Sequence, residues 1–266
     1  MARFGAVSYL NSKPLVEGLA EFAAPGTVRL DFPSRLADQL ARGELDVALI
    51  PSIEFFRGTG YEIVSDACVA ARGPVLSVKV YFRREPAEIE TLALDVGSRT
   101  SATLARLLLA ERHGVFPSLE PLPLELDTTN TRADAVLLIG DRAMLPPAEN
   151  FVTAWDLGEE WQRSTGLPFV FALWAGRAAA DNPGGLAPAE AVARARDLGE
   201  SRLEAIARRE AAAMRLDEGL VRDYLTRNLH YRLGESERRG LALFRELSAK
   251  WKLLERPVMV PVTARG

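Results

Sequence analysis

The chain has 266 residues, 48% of them hydrophobic and 26% charged, and a net charge of −3. That length fits one large domain or two lobes with ample core, and the balance of charge offers nothing to nucleic acid or an acidic membrane. The one cysteine, Cys68, lies in an apolar run and has no partner for an internal disulfide, and His113 and His230 are too far apart in sequence to suggest zinc.

Phe4–Val7 reads as a short buried strand that runs into the polar turn Ser8-Tyr9-Leu10-Asn11-Ser12. A helix over Pro14–Phe22 follows, with Asn11 or Ser12 as its cap and Pro14 in its first turn. Val28–Phe32 is a second strand. Pro33–Arg42 is a helix capped by Ser34 and stopped by Gly43. Leu45–Ile50 is nearly all apolar, as buried parallel strands are. Pro51-Ser52 then opens a short helix carrying Phe55 and Phe56, and Val75–Phe82 is a longer strand.

A second unit starts near Arg84. Thr91–Val96 is a strand, Gly97-Ser98-Arg99-Thr100-Ser101 a turn, and Ala102–His113 a helix stopped by Gly114. Ala135–Ile139 is another buried strand and ends in Gly140-Asp141. Leu167–Trp174 runs back as a strand. Residues 178–189 read as a surface loop, and helices are expected over Ala189–Ala213, Leu216–Leu225 and Glu235–Lys250. The layout predicts two α/β lobes with a ligand cleft between them. Lobe one takes residues 1–83 plus 175–266, and lobe two takes 84–174.

The polar turns at strand ends are where α/β proteins bind ligands. Here they supply hydroxyls, an amide, helix N-termini and one guanidinium, a set that suits a small carboxylate. Each residue alone has a plainer reading. Arg99 suits either a ligand carboxylate or a carboxylate of the protein. Asp141 suits either a turn cap or the cleft. Tyr9, Phe171 and Trp174, like the Trp155–Trp161 run, suit either a ligand wall or the core. No Walker loop, Gly-x-Gly-x-x-Gly run or Gly-x-Ser-x-Gly elbow is present, so no nucleotide cofactor is expected. The first residues carry no signal-peptide pattern and no window approaches a membrane span, so a cytoplasmic location is expected.

Several motifs taken together are recognisable. They are Ser8-Tyr-Leu-Asn11-Ser-Lys-Pro14-Leu, Gly43-Glu-Leu-Asp46 through Ser52-Ile-Glu54, Gly73-Pro-Val-Leu-Ser77-Val, Asp95-Val-Gly-Ser98-Arg-Thr-Ser101, Leu138-Ile-Gly-Asp141 and Asp156-Leu-Gly-Glu-Glu-Trp161 through Phe169. This set resembles the chorismate dehydratase family of the futalosine route to menaquinone, over nearly the whole chain. The resemblance implies a fold like the type II periplasmic solute-binding proteins and loss of water from chorismate to give 3-[(1-carboxyvinyl)oxy]benzoate, with no cofactor or metal. It implies that Asn11 and Ser77 sit at the reacting centre and that the substrate's enolpyruvyl carboxylate serves as base. Tyr9, Ser52, Ser98, Arg99, Thr100, Ser101 and Asp141 are then the substrate-binding candidates. Two rivals remain at this point: the naphthoate-forming cyclase of the same pathway, and a binder of small carboxylates without catalysis.

Overall fold

A computed structural model describes residues 1–24, 26–177 and 185–256. Strand β1 (Phe4–Val7) is buried along its length and leads through a 3₁₀ turn (Leu10–Ser12) into two short helices, α1 (Lys13–Val16) and α2 (Leu19–Phe22). The single helix expected over 14–22 is broken because Gly18 adopts a left-handed φ of 71°. Then come β2 (Val28–Asp31), α3 (Pro33–Ala41), β3 (Val47–Pro51), α4 (Ser52–Arg57), β4 (Tyr61–Ala71) and β5 (Val78–Phe82). The middle of the chain holds β6 (Thr91–Asp95), α5 (Arg99–His113), β7 (Ser118–Leu122), β8 (Ala135–Ile139), β9 (Thr153–Asp156) and α6 (Leu157–Thr165). The last part holds β10 (Phe169–Arg177), α7 (Pro188–Ser201), α8 (Leu203–Met214), α9 (Glu218–Asp223), a π turn over Tyr224–Asn228, β11 (His230–Arg232) and α10 (Glu235–Lys250).

Two sheets result, ordered β11-β4-β10-β3-β1-β2 and β7-β6-β8-β5-β9. In the first, β1 pairs parallel with β2 and β3, while β10 runs antiparallel between β3 and β4. In the second, β6 pairs parallel with β7 and β8, and β5 lies antiparallel between β8 and β9. The crossings fall earlier than the sequence reading placed them. β5 belongs to the second sheet and β10 to the first, so the chain crosses within residues 72–77 and again before Phe169. The shift has a plain cause. Both strands are mostly apolar and largely buried, and such a run carries no mark of which sheet it joins.

Strand β4 is a structural finding as well. Its first half is half-exposed and carries Glu62 and Asp66, which hides the strand pattern. Strands β7 and β9 are likewise additions. The expected helix over 189–213 divides at Arg202 into α7 and α8, and residues 178–184 of the expected loop lie outside the described residues. Period-two alternation divides the second sheet between two cores. Val78, Val80, Phe82, Leu137 and Ile139 face the main core, which runs continuously through both lobes, while Tyr81, Val136 and Leu138 face a smaller one. Cys68 and Trp174 are fully buried core residues.

Candidate active site

The ends of β1, β3 and β8 and the start of α5 converge on a partly open cavity between the two sheets. Its polar lining is Tyr9, Asn11, Ser77, Ser98 and Ser101, and Val69, Val75, Ile139 and Phe171 form much of its apolar wall. Among the described residues that line it there is no carboxylate, amine, guanidinium or imidazole.

The turn after β1 is tied down by Ser12. Its hydroxyl bonds the carbonyls of Val7 and Tyr9, at 2.7 and 2.9 Å, and so caps no helix. This leaves Asn11 to project its side chain, whose Oδ1 is buried without a partner in the protein. Tyr9 packs against the Phe32 ring with centroids 5.8 Å apart. Its ring also lies over Gly140, where an added Cβ would meet it at 3.1 Å and φ is +67°. Burial first, and then the nearby Asp95 charge, push the Tyr9 phenol well above its ordinary range, so it remains protonated at neutral pH.

Ser77 is placed by Asp156. One carboxylate oxygen accepts the Val75 N–H at 2.9 Å, and the other accepts the Leu76 N–H at 2.7 Å. These bonds hold Leu76 at φ 63°, a left-handed conformation that costs a non-glycine residue about 1–2 kcal/mol. The same carboxylate caps α6 through the N–H groups of Gly158 and Glu159. Gly158 is required there, because a Cβ would sit 2.5 Å from the Gly73 carbonyl oxygen. The motif that opens at Asp156 is therefore the brace for Ser77. The Ser77 carbonyl accepts the Gly140 N–H at 2.8 Å, and its hydroxyl accepts a 2.7 Å bond from the Tyr224 hydroxyl.

Ser98 caps α5 by accepting the Ser101 N–H at 3.2 Å and donates to the Ser101 hydroxyl at 2.7 Å. The positive end of a 15-residue helix thus faces the cavity with two hydroxyls.

Four of the candidate ligands have partners within the protein. Arg99 pairs with Asp38 and Glu54 instead of lining the cavity. Thr100 accepts the Ile53 N–H at 3.2 Å, a contact from the second lobe to the first. Ser52 is fully buried and donates to the carbonyls of Val170 and Phe171. Asp141 accepts the Leu10 N–H at 3.1 Å, clasping the β1 turn from the second lobe. Burial pushes the Asp141 carboxyl upward, against the pull of that bond. These four residues shape the cleft, whereas Tyr9, Asn11, Ser77, Ser98 and Ser101 line it.

Behind the lining, buried Asp95 bonds Arg142 and the N–H groups of Gly97 and Ile139. Tyr224 is the residue that sequence reasoning missed. It comes from the C-terminal helical part of the chain, where no motif marks it. Among the described residues, no helix is long and apolar enough to cross a membrane.

The sequence model of the family described as menaquinone biosynthesis matches residues 2–250. A chorismate dehydratase from Thermus thermophilus is 33% identical over 231 residues, covering 80% of this chain and 83% of that one. A chorismate dehydratase from Campylobacter jejuni is 29% identical over 175 residues, covering 64% and 65%. In structure, a protein from Archaeoglobus fulgidus aligns with a TM-score of 0.71 at 17% identity, covering 95% of this chain and 98% of that one. The periplasmic aliphatic sulphonate-binding protein SsuA from Escherichia coli aligns at 0.56 and 15% identity, covering 97% and 94%. The fold is that of the periplasmic binding proteins, and the cavity sits between its lobes.

Proposed function

This chain belongs to the menaquinone-biosynthesis family, and from that membership we propose that it is a chorismate dehydratase acting as a carbon–oxygen lyase on a substrate held in the neutral cleft. The substrate is a dianion. One of its carboxylates lies against the start of α5, where the Ser98 and Ser101 hydroxyls and the helix N-terminus favour negative charge. The apolar wall, with Phe171 and Val75, packs the ring.

The reaction breaks the C–H bond at the carbon bearing the enolpyruvyl ether. Its electron pair becomes the new ring double bond as the C–O bond of the neighbouring alcohol breaks. The departing hydroxide and the released proton make water, and the ring becomes aromatic. The driving force lies in the substrate, so the protein has to bind, orient and stabilise the leaving oxygen. Ser77 donates to that oxygen, and Asn11 accepts from the same hydroxyl or holds the side chain beside it.

One observation carries this reading: Tyr9 is the only titratable side chain lining the cavity among the described residues, and its phenol is held protonated. No lining group is suited to take the proton at neutral pH, which supports the substrate's own enolpyruvyl carboxylate as the acceptor. Incubating the purified protein with chorismate and following the mass and ultraviolet spectrum tests it. An aromatic product lighter by one water supports the proposal. Unchanged chorismate, under conditions where binding is seen, leaves a binder without catalysis.

A further inference from the structure

We infer that Tyr224 is a positioning residue for this dehydration, its phenol turning the Ser77 hydroxyl proton toward the substrate. This role rests on the reaction proposed above. Tyr224 is fully buried and does not line the cavity. Its hydroxyl donates to the Ser77 Oγ at 2.7 Å.

A phenol has one proton to give. With that proton spent on the Ser77 Oγ, the Ser77 proton cannot point back at Tyr224 and is directed into the cavity. The Asn11 Oδ1 is buried with no partner in the protein. Ser77 and Asn11 therefore present one donor and one acceptor, matched to a leaving hydroxyl that must accept a bond on its oxygen while its own proton is held. Burial keeps the phenol protonated throughout, so Tyr224 orients and does not transfer its proton.

The backbone around Tyr224 is built for the same purpose. Tyr224 opens the π turn, whose wide bond runs from the Leu229 N–H to the Tyr224 carbonyl at 3.1 Å. Such turns are rare and collect at functional sites. The far end of the turn is pinned to the Ser77 segment, because the Asn228 side-chain amide donates to the Pro74 carbonyl at 2.8 Å. One turn therefore grips residues 74–77 at two points.

The test is a cycle of Tyr224→Phe, Ser77→Ala and the double variant, with kcat and KM for chorismate measured for each beside thermal melting. Tyr224→Phe is expected to lower kcat about tenfold or more, to leave KM within about twofold, and to lower kcat by less than about twofold further when Ser77 is already Ala. A residue with a merely structural role would instead cost the same factor in both backgrounds. Asn228→Ala, which keeps the phenol but frees the turn, is expected to show the same masking with a smaller loss. An active wild type with Tyr224→Phe at full kcat, or with equal losses in both backgrounds, overturns the role of Tyr224 and leaves the reaction standing. A wild type that does not dehydrate chorismate overturns both.

Discussion

Arg99 and Asp38 face each other from opposite lobes and share two parallel hydrogen bonds, Nη1 to Oδ1 at 3.0 Å and Nη2 to Oδ2 at 2.7 Å. Glu54 takes a third bond from Arg99 at 3.2 Å, and Arg256 joins both carboxylates. Burial alone would raise the Asp38 carboxyl, but Arg99 and Arg256 outweigh it and hold the group below its usual range. Of the two partners that the sequence left open for Arg99, the structure shows the protein carboxylate, joining the two lobes.

Arg99→Ala should therefore act on closure and leave the chemical step alone. A partly exposed pair of this kind is worth about 1 kcal/mol, which corresponds to about fivefold in affinity. KM for chorismate should rise by about that factor with kcat little changed. Added salt should raise the wild-type KM and have less effect on the variant. A large fall in kcat with KM unchanged would return Arg99 to the reacting centre.

Ser52 and Ser77 separate structure from chemistry. Both are buried, and removing either hydroxyl leaves a buried partner unmatched at a cost of about 1–3 kcal/mol in stability. Ser52→Ala should keep kcat and KM within about twofold of wild type, because its hydroxyl serves the Val170 and Phe171 carbonyls. Ser77→Ala should lower kcat by about 10²–10³, the usual loss when a donor to developing negative charge is removed. Denaturation and steady-state assays on the two variants check the contrast. Equal kinetic losses would contradict it.

Asp141 gives a pH dependence whose sign can be worked out. Its folded carboxyl holds a proton more tightly than the unfolded one because burial disfavours the charge. The stability it contributes is full below the ordinary carboxylate range and is lost as pH rises through the folded value. Asp141→Asn keeps an oxygen acceptor for the Leu10 N–H and carries no charge. The urea midpoint of the variant, measured against wild type, should therefore gain as pH goes from about 3 to about 8. A constant difference across that range would show that the carboxyl is not perturbed.

The legible parts of the site are those where the local sequence decides the structure. The turn at Tyr9–Asn11, the Ser98 cap and the strand ends follow from apolar runs broken by capping residues, and the structure brings Tyr9, Asn11, Ser77, Ser98 and Ser101 to one cavity. What was not legible depends on distant partners. Arg99 meets Asp38 from 61 residues away, and Ser52 meets Val170 from 118 away. A buried strand such as β5 reads the same in either sheet. Tyr224 reaches Ser77 across 147 residues through a π turn that no periodicity marks.

The pH profile of kcat for chorismate dehydration bears most directly on the claim that a neutral cleft does this chemistry without a base of its own. With Tyr9 and Tyr224 held protonated well above neutrality and the substrate carboxylates ionised throughout, kcat should be flat from about pH 7 to about pH 9. A rising or falling limb inside that window would reveal a titrating protein group at the reacting centre and contradict the account.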